Sequence, residues 1–261
     1  MIRWLRGPHD PLPDAERAQP RTTEIPGLIA AGGELTPARL EEAYRKGIFP
    51  WFSDGQPILW WSPDPRMVLL PHEFKLSRSL KKTIRGFLAT PGTTIRIDHA
   101  THRVIESCAT VARDGESGTW IVAEMIDAYA AWHALGRVHS FETWIDGELA
   151  GGLYGVAIGR IFFGESMFAR RTDASKIALA ALVAFCRAHA IETIDCQQKT
   201  QHLASLGGRE IARGDFQRRL RDGTARSDVG DWSYDLRLWE ELEIGALPPG
   251  PARRPSEDRR K

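Results

Sequence analysis

Residues 137–168, RVHSFETWIDGELAGGLYGVAIGRIFFGESMF, constrain the fold more than any other part of the chain. Turn signals at Asp146-Gly147 and Gly159-Arg160 divide the stretch into three apolar runs of strand length, which predicts a three-stranded antiparallel meander. The run DASKIALAALVAFCRAHA that follows carries apolar residues at helical spacing, with Asp173 as a candidate cap. IETIDCQ then predicts a further strand, and GDFQRRLRDG a short closing helix.

The first half has a different texture. TPARLEEAYRKG places Leu40, Ala43 and Tyr44 at helical spacing between a Thr36-Pro37 start and Gly47. Residues 51–71 are dense in Trp, Pro and turn residues, with a short apolar strand over residues 67–70. LSRSLKKTIRGFL predicts a helix capped by Ser77, with Leu80, Ile84 and Leu88 on one face and Arg78, Lys82 and Arg85 on another. TTIRID predicts a strand, and ATHRVIESCATV and VAEMIDAYAAWHALG two helices.

Residues 1–20 are polar and proline-bearing and residues 246–261 are low in apolar content, so both ends are expected to be poorly ordered. The expected organisation is a mixed α and β chain. A small mixed N-terminal domain spans residues 21–90, and a larger domain with a largely antiparallel sheet spans residues 91–245. A meander, a long helix and a returning strand match the acyl-CoA N-acetyltransferase (GNAT-like) type of core by fold-level analogy.

Composition narrows function mainly by exclusion. Lys and Arg total 35 against 34 Asp and Glu, so any polyanion-binding surface must come from local clustering. Cys108, Cys186 and Cys196 sit far apart with no CxxC pair, which excludes a disulfide framework and a zinc site and fits a reducing compartment. His99 and His102 in HATH have no third ligand at a recognisable spacing. No apolar run approaches the roughly 20 residues of a membrane span, and the N-terminus lacks the apolar core of a secretory signal, so a cytoplasmic protein is expected. Neither a P-loop nor a strand-following GxGxxG is present.

Chemistry concentrates on two predicted strands. Alternation in TIDCQ puts Asp195 and Gln197 on one face and Ile194 and Cys196 on the other. Cys196 then belongs to the core with Ile194, where burial raises a thiol's pKa and leaves it inert. The other reading of Asp195 and Gln197 is a pair of polar residues on a solvated face. In IFFGESMF the same alternation groups Phe163, Glu165 and Met167 against Phe162, Gly164, Ser166 and Phe168. One carboxylate between Phe and Met suggests an apolar pocket with a single polar group, the alternative being an edge strand whose Glu reaches water. Gly164, and Gly151, Gly152 and Gly155 on the preceding strand, would let a ligand or another backbone come close. Phe49, Trp51, Phe52, Trp60 and Trp61 could stack a nucleobase or build a small core, and Arg78, Lys82 and Arg85 could meet phosphates or water. His139 and Ser140 are neighbours on a strand and face apart, and His202 is expected to be a structural hydrogen-bonder.

Taken together, several segments resemble the leucyl/phenylalanyl-tRNA–protein transferase family. They are GLIAAGGELTPARLEEAYRKGIFPWF, ILWWSPDPR, SRSLKK, GTWI, HSFETW, GGLYGVAIGRIFFGESMF, ASKIAL and IDCQQKTQHLASLGG, in order from about residue 27 to residue 216. The resemblance implies an enzyme that moves Leu or Phe, and in some cases Met, from its aminoacyl-tRNA to the α-amine of a protein beginning with Arg or Lys. The product enters the bacterial N-end rule degradation pathway. It further implies a small N-terminal domain, an acetyltransferase-like C-terminal domain, no metal and no organic cofactor. Asp195 and Gln197 match the family's acid–amide pair. Its pocket for the Leu or Phe side chain carries over to Leu153, Phe162, Gly164, Met167 and Leu179, with Glu165 at the edge. Trp51 and Trp120 match tryptophans at the terminal adenosine and pocket mouth, and Arg78, Lys82 and Arg85 would meet acceptor-stem phosphates. A monomer is the default.

Two other readings compete. An acyl-CoA enzyme on the same kind of core would offer an R-x-x-G-x-G/A loop before a helix, which this chain lacks. A non-enzymatic RNA-binding module would account for the aromatics and the basic helix but leaves Glu165, Asp195 and Gln197 unexplained.

Overall fold

A computed structural model describes residues 2–110 and 121–245 of the chain. Trp120 and the expected basic tail from residue 246 lie outside the described residues. The described strands form two sheets of four and seven strands.

The smaller sheet holds β1 (Arg3–Leu5), β2 (Leu28–Gly32), β3 (Phe49–Pro50) and β4 (Leu59–Trp61) in the order β1-β2-β4-β3. β1 runs parallel to β2, and the other pairs are antiparallel. Beside it, α1 (Pro37–Arg45) starts where Thr36 accepts the Arg39 amide and Pro37 occupies the first turn, as predicted. The expected disorder of residues 1–20 is corrected here. Leu5, Leu12, Ala15 and Ala18 are buried, and α1 holds the segment through Arg39 to the Pro8 carbonyl (2.9 Å) and Lys46 to the Leu12 carbonyl (2.6 Å). A three-residue strand and isolated apolar side chains carry too little period to be read from sequence.

The larger sheet runs β11-β5-β10-β9-β8-β7-β6. Its strands are β5 (Arg66–Leu69), β6 (Thr93–Ile97), β7 (Val138–Ile145), β8 (Glu148–Ile158), β9 (Ile161–Ala169), β10 (Thr193–Gln197) and β11 (Arg209–Ile211). All neighbours are antiparallel except β9 and β10, which are parallel. The predicted meander is β7–β9. The strand expected inside the small domain is β5, and it pairs with β10 and β11, so the two sheets part between Trp61 and Arg66. All four β5 residues are buried, which a strand achieves with neighbours on both edges and cover on both faces.

Helices cover this sheet on both sides. α5 (Ala174–Ala188) packs on β7, β8 and β9, with α2 (Arg78–Ala89) beside it; α3 (Thr101–Thr110) packs on the same strands, next to α4 (Ala123–His133). Alternation along β9 sends Ile161 and Phe163 into one apolar cluster and Phe162 into the other. Gly151 and Gly155 serve this packing and leave no room for a ligand. A Cβ on Gly151 would lie 2.6 Å from the Ala174 Cβ, and one on Gly155 would lie 2.5 Å from the Phe162 ring. Asp173 sits at the α5 cap position with φ 61°, but its carboxylate takes the Lys176 ammonium (2.6 Å), and no side-chain cap bond forms. Short α6 (Gln201–Ser205) and α7 (Arg213–Thr224) complete the described α-helices, with α7 packed on α1.

Candidate active site

The parallel pairing of β9 with β10 ends at Phe163 and Asp195, although β9 runs on to Ala169. Both strands are also irregular at that point. Against β8, Tyr154 faces Ser166 and Gly155 faces Gly164, which leaves Glu165 as the unpaired residue of a bulge. Against β5, the register shifts between Asp195 and Gln197, and Gln197 takes φ 60°. The strands therefore part, and a cavity of about 640 Å3 opens between them. Its size falls within the roughly 300–1,000 Å3 of small-molecule sites.

The cavity is apolar within and polar at one wall. Leu153, Met167, Leu179, Leu182, Ile194 and Leu203 supply the apolar surface. Four of the expected pocket residues, Leu153, Gly164, Met167 and Leu179, line it. Phe162 does not; it is fully buried behind the cavity, edge-on to Phe141 and beside Trp232. The bulge also breaks the alternation expected along β9. Met167 packs with the α5 cluster and Phe168 with the opposite one, whereas a regular strand would pair Met167 with Phe163. At Gly164 a Cβ would meet only ordinary contacts, the Asp195 carbonyl at 3.5 Å and Ile194 at 4.0 Å.

Glu165 is the carboxylate of the polar wall, buried to 8% exposure. Its Oε1 accepts from the Tyr44 hydroxyl (2.7 Å) and the Gln197 Nε2 (2.9 Å), and its Oε2 lies 3.2 Å from the Tyr129 hydroxyl. The two hydroxyls are 2.5 Å apart. Tyr44 donates to Oε1 and Tyr129 to Oε2, and with the close contact of the two hydroxyls the three groups form a ring. The Glu165 carboxyl is pushed up to about 7, by burial first; hydrogen bonds from Tyr44, Gln197 and Tyr129 pull it back, and the Asp195 charge adds to the rise. Burial, then the nearby Glu165, drives both tyrosine hydroxyls well above their ordinary range.

Asp195 shares that side of the sheet with Gln197, but it is sealed from the cavity. It is fully buried and grips Arg66 with both oxygens, Nε to Oδ1 at 2.8 Å and Nη2 to Oδ2 at 2.6 Å. Arg66 is held between the Phe49 and Phe216 rings, 4.8 and 4.6 Å from their centroids. Asp195 reaches the site through Oδ1, which accepts the backbone N–H of Gln197 (2.9 Å). Cys196 falls with Ile194, as the alternation predicts: both pack with the α5 cluster and line the cavity, but Cys196 is half-buried where full burial in the core was expected. Burial still pushes its thiol far above the ordinary range, so a thiolate is strongly disfavoured there. His202 lines the cavity too, and no hydrogen bond of its ring is seen among the described residues.

Trp51 stands 38% exposed at the cavity edge, tilted against Trp61. Arg78, Lys82 and Arg85 are exposed on α2, lie outside the cavity lining and have no ion-pair partner among the described residues. Sequence reasoning missed Tyr44, Tyr129 and Arg66. Helical spacing marks Tyr44 as core, but no local pattern reveals which group a buried hydroxyl meets across the chain.

A family model described as leucyl/phenylalanyl-tRNA protein transferase matches residues 68–221, and one described as the N-terminal domain of that transferase matches residues 33–64. The chain is 59% identical over 248 residues, 95% of its own length and 94% of the relative's, to the leucyl/phenylalanyl-tRNA–protein transferase of Methylibium petroleiphilum. It is 57% identical over 255 residues to the protein of that name from Leptothrix cholodnii, covering 97% of this chain and all of that one. Among solved structures, a GCN5-related N-acetyltransferase from Kribbella flavida is 12% identical with a TM-score of 0.31, over 65% of this chain and 58% of that one. At that level of likeness the fold rests on the sheet order itself.

Proposed function

The chain belongs to the leucyl/phenylalanyl-tRNA–protein transferase family, and from that premise we infer that it moves leucine or phenylalanine from aminoacyl-tRNA to the α-amine of proteins beginning with Arg or Lys. Methionine is a further donor, and the product carries an N-terminus that feeds N-end rule degradation. The observation that carries this reading is the cavity between β9 and β10, apolar enough for Leu or Phe and walled by Glu165 and Gln197.

Direct aminolysis needs no enzyme nucleophile. The acceptor nitrogen attacks the ester carbonyl, a C–N bond forms, and the C–O bond to the 3′-oxygen of the terminal adenosine breaks with its electron pair. The proton lost by nitrogen ends on that oxygen, with the vicinal ribose hydroxyl as a relay. The acceptor amine has an ordinary pKa of about 7.7–8.0, so a useful fraction is neutral at working pH. Gln197 positions the amine, and Glu165 takes up positive charge or the proton through its ring with Tyr44 and Tyr129. Asp195 is a positioning residue, fixing the Gln197 backbone while Arg66 fixes Asp195. Leu153, Gly164, Met167 and Leu179 hold the side chain, with Phe162 behind them; Trp51 and Trp120 meet the terminal adenosine; Arg78, Lys82 and Arg85 meet acceptor-stem phosphates. The enzyme works as a single chain in the cytoplasm, where charged tRNA is made. Among the described residues no helix is long and apolar enough to cross a membrane.

The test is transfer of labelled leucine from Leu-tRNA to a peptide beginning with Arg. Label in the peptide supports the reading; no transfer from Leu-, Phe- or Met-tRNA contradicts it.

A further inference from the structure

The inner end of the cavity is backed by side chains that do not line it. Gly164 and Leu182 line the cavity, and the next side chains on the same faces of β9 and α5 are Phe162 and Phe185. Gly164 has no side chain, so the next group along that face of β9 is the fully buried Phe162 ring, opposite the lining residue Ile194 on β10. Behind Phe162 stands Trp232, in the extended segment that follows α7. We propose that Trp232 is a positioning residue for donor specificity: acting through Phe162, it fixes the depth of the cavity and so the size of aminoacyl side chain that fits. This assignment rests on the transfer reaction proposed above.

Trp232 is wedged among four rings. It stacks on His139 of β7 (centroids 3.5 Å apart, planes 6° apart) and on Phe185 of α5 (4.9 Å, 24°). It also lies 6.4 Å from the Phe162 ring and 6.5 Å from Phe141, within the range of aromatic pairs. The imidazole of His139 is itself held at both nitrogens, Nδ1 by the Asp98 carboxylate (2.6 Å) and Nε2 by the Gly136 carbonyl (3.2 Å).

The segment is tied down on both sides of Trp232. Before it, Asp228 accepts the Gly159 backbone N–H (2.7 Å) and pairs with Arg137 (2.7 Å). After it, the Glu241 carbonyl accepts from Arg187 of α5, and Trp239, Leu242 and Ile244 are buried in the α5 cluster. Phe162 has little room elsewhere. Its ring lies against the Gly155 backbone, where an added Cβ would come within 2.5 Å of it, and Phe141 stands edge-on to it at 6.2 Å. Trp232 is half-buried whereas Phe162 is fully buried, so a smaller side chain at 232 opens space on the outer side of Phe162. The ring then relaxes outward, because a core side chain moves partway into a void beside it, and the cavity deepens. None of the four rings around Trp232 belongs to the polar wall, so the change acts on side-chain fit rather than on Glu165 or Gln197.

The experiment measures kcat and KM for leucyl-, phenylalanyl- and tryptophanyl-adenosine with one Arg-initiated peptide. It compares wild type with Trp232→Leu, Trp232→Met, Trp232→Phe and Trp239→Leu. Trp239 belongs to the same segment and cluster but has Tyr234 as its ring partner, so its truncation loosens the segment away from Phe162. Trp232→Leu and Trp232→Met should each raise the tryptophanyl-to-leucyl ratio of kcat/KM by about tenfold or more, chiefly through KM, the lower range for a methylene-sized change in a pocket. Trp232→Phe, which keeps a ring in the stack, should restore the wild-type ratios. Trp239→Leu should lower the urea midpoint of unfolding and leave the ratios unchanged. Equal losses with all donors in both Trp232→Leu and Trp232→Met would overturn the assignment, by making Trp232 a structural residue only. A shift in Trp239→Leu as large as theirs would overturn it too. If wild type transfers from no donor, the transfer reaction itself fails, and this assignment with it.

Discussion

Glu165 combines burial, three hydrogen-bonding partners and a pKa raised to about 7 in one side chain, so its protonation is expected to link transfer to stability. With the folded value raised from 4.5 to about 7, the folded state binds the proton more tightly than the unfolded chain. Stability therefore falls as pH rises between those values, by up to about 3 kcal/mol, and levels off above them. Glu165→Gln should remove that slope, which urea unfolding at pH 5 and pH 8 would register. In the same variant, transfer should lose the rise in kcat/KM through about pH 7, leaving the rise contributed by the acceptor amine. A stability slope unchanged in Glu165→Gln would mean the proton sits elsewhere. Asp195 calls for a different design, because it is half of a buried ion pair. Asp195→Ala strands Arg66 and should cost about 3–5 kcal/mol, whereas Asp195→Ala with Arg66→Met should recover much of it. If Asp195 positions Gln197, transfer by the double variant stays low although the fold is restored.

At the scale of elements, the strands and helices that build the cavity were legible and its opening was not. Turn pairs and a period of two mark β7–β9, and a long apolar helical run marks α5, because these patterns are local. The bulge at Glu165 and the positive φ at Gln197 leave no such pattern; one residue out of step is set by how β9 meets β8 and how β10 meets β5. Met167 therefore packs away from Phe163, against the expected alternation, while Cys196 stays with Ile194 as expected. α2 was legible on both faces: Leu80 and Ile84 are buried as expected, Phe87 joins them, and the basic side chains stay in solvent. Reversing Arg78, Lys82 and Arg85 together should raise KM for Leu-tRNA and flatten its salt dependence, with a log–log slope shallower by about 3. Leucyl-adenosine, which has no acceptor stem, should be used as before. An equal defect with both donors would mean that α2 acts through the fold.

Across the whole molecule, the site is assembled from both sheets' surroundings. Tyr44 comes from α1, Tyr129 from α4, Glu165 from β9, Gln197 from β10, and Arg66 from β5, over a sequence distance of more than half the chain. Periodicity predicted each of these elements except the placement of β5, but their meeting depends on long-range packing, so Tyr44, Tyr129 and Arg66 were invisible from sequence. The central proposal is that the β9–β10 cavity transfers an aminoacyl group by positioning and proton handling at Glu165 and Gln197, without a nucleophile. The half-buried Cys196 in the same cavity offers the sharpest contrast. The decisive measurement is leucine transfer from Leu-tRNA to an Arg-initiated peptide by wild type, Cys196→Ala and Glu165→Gln, side by side at pH 8. Cys196→Ala should transfer within a few-fold of wild type, and Glu165→Gln should fall by about 100-fold, the lower range for loss of a proton-handling group. Transfer abolished in Cys196→Ala and retained in Glu165→Gln would contradict the account.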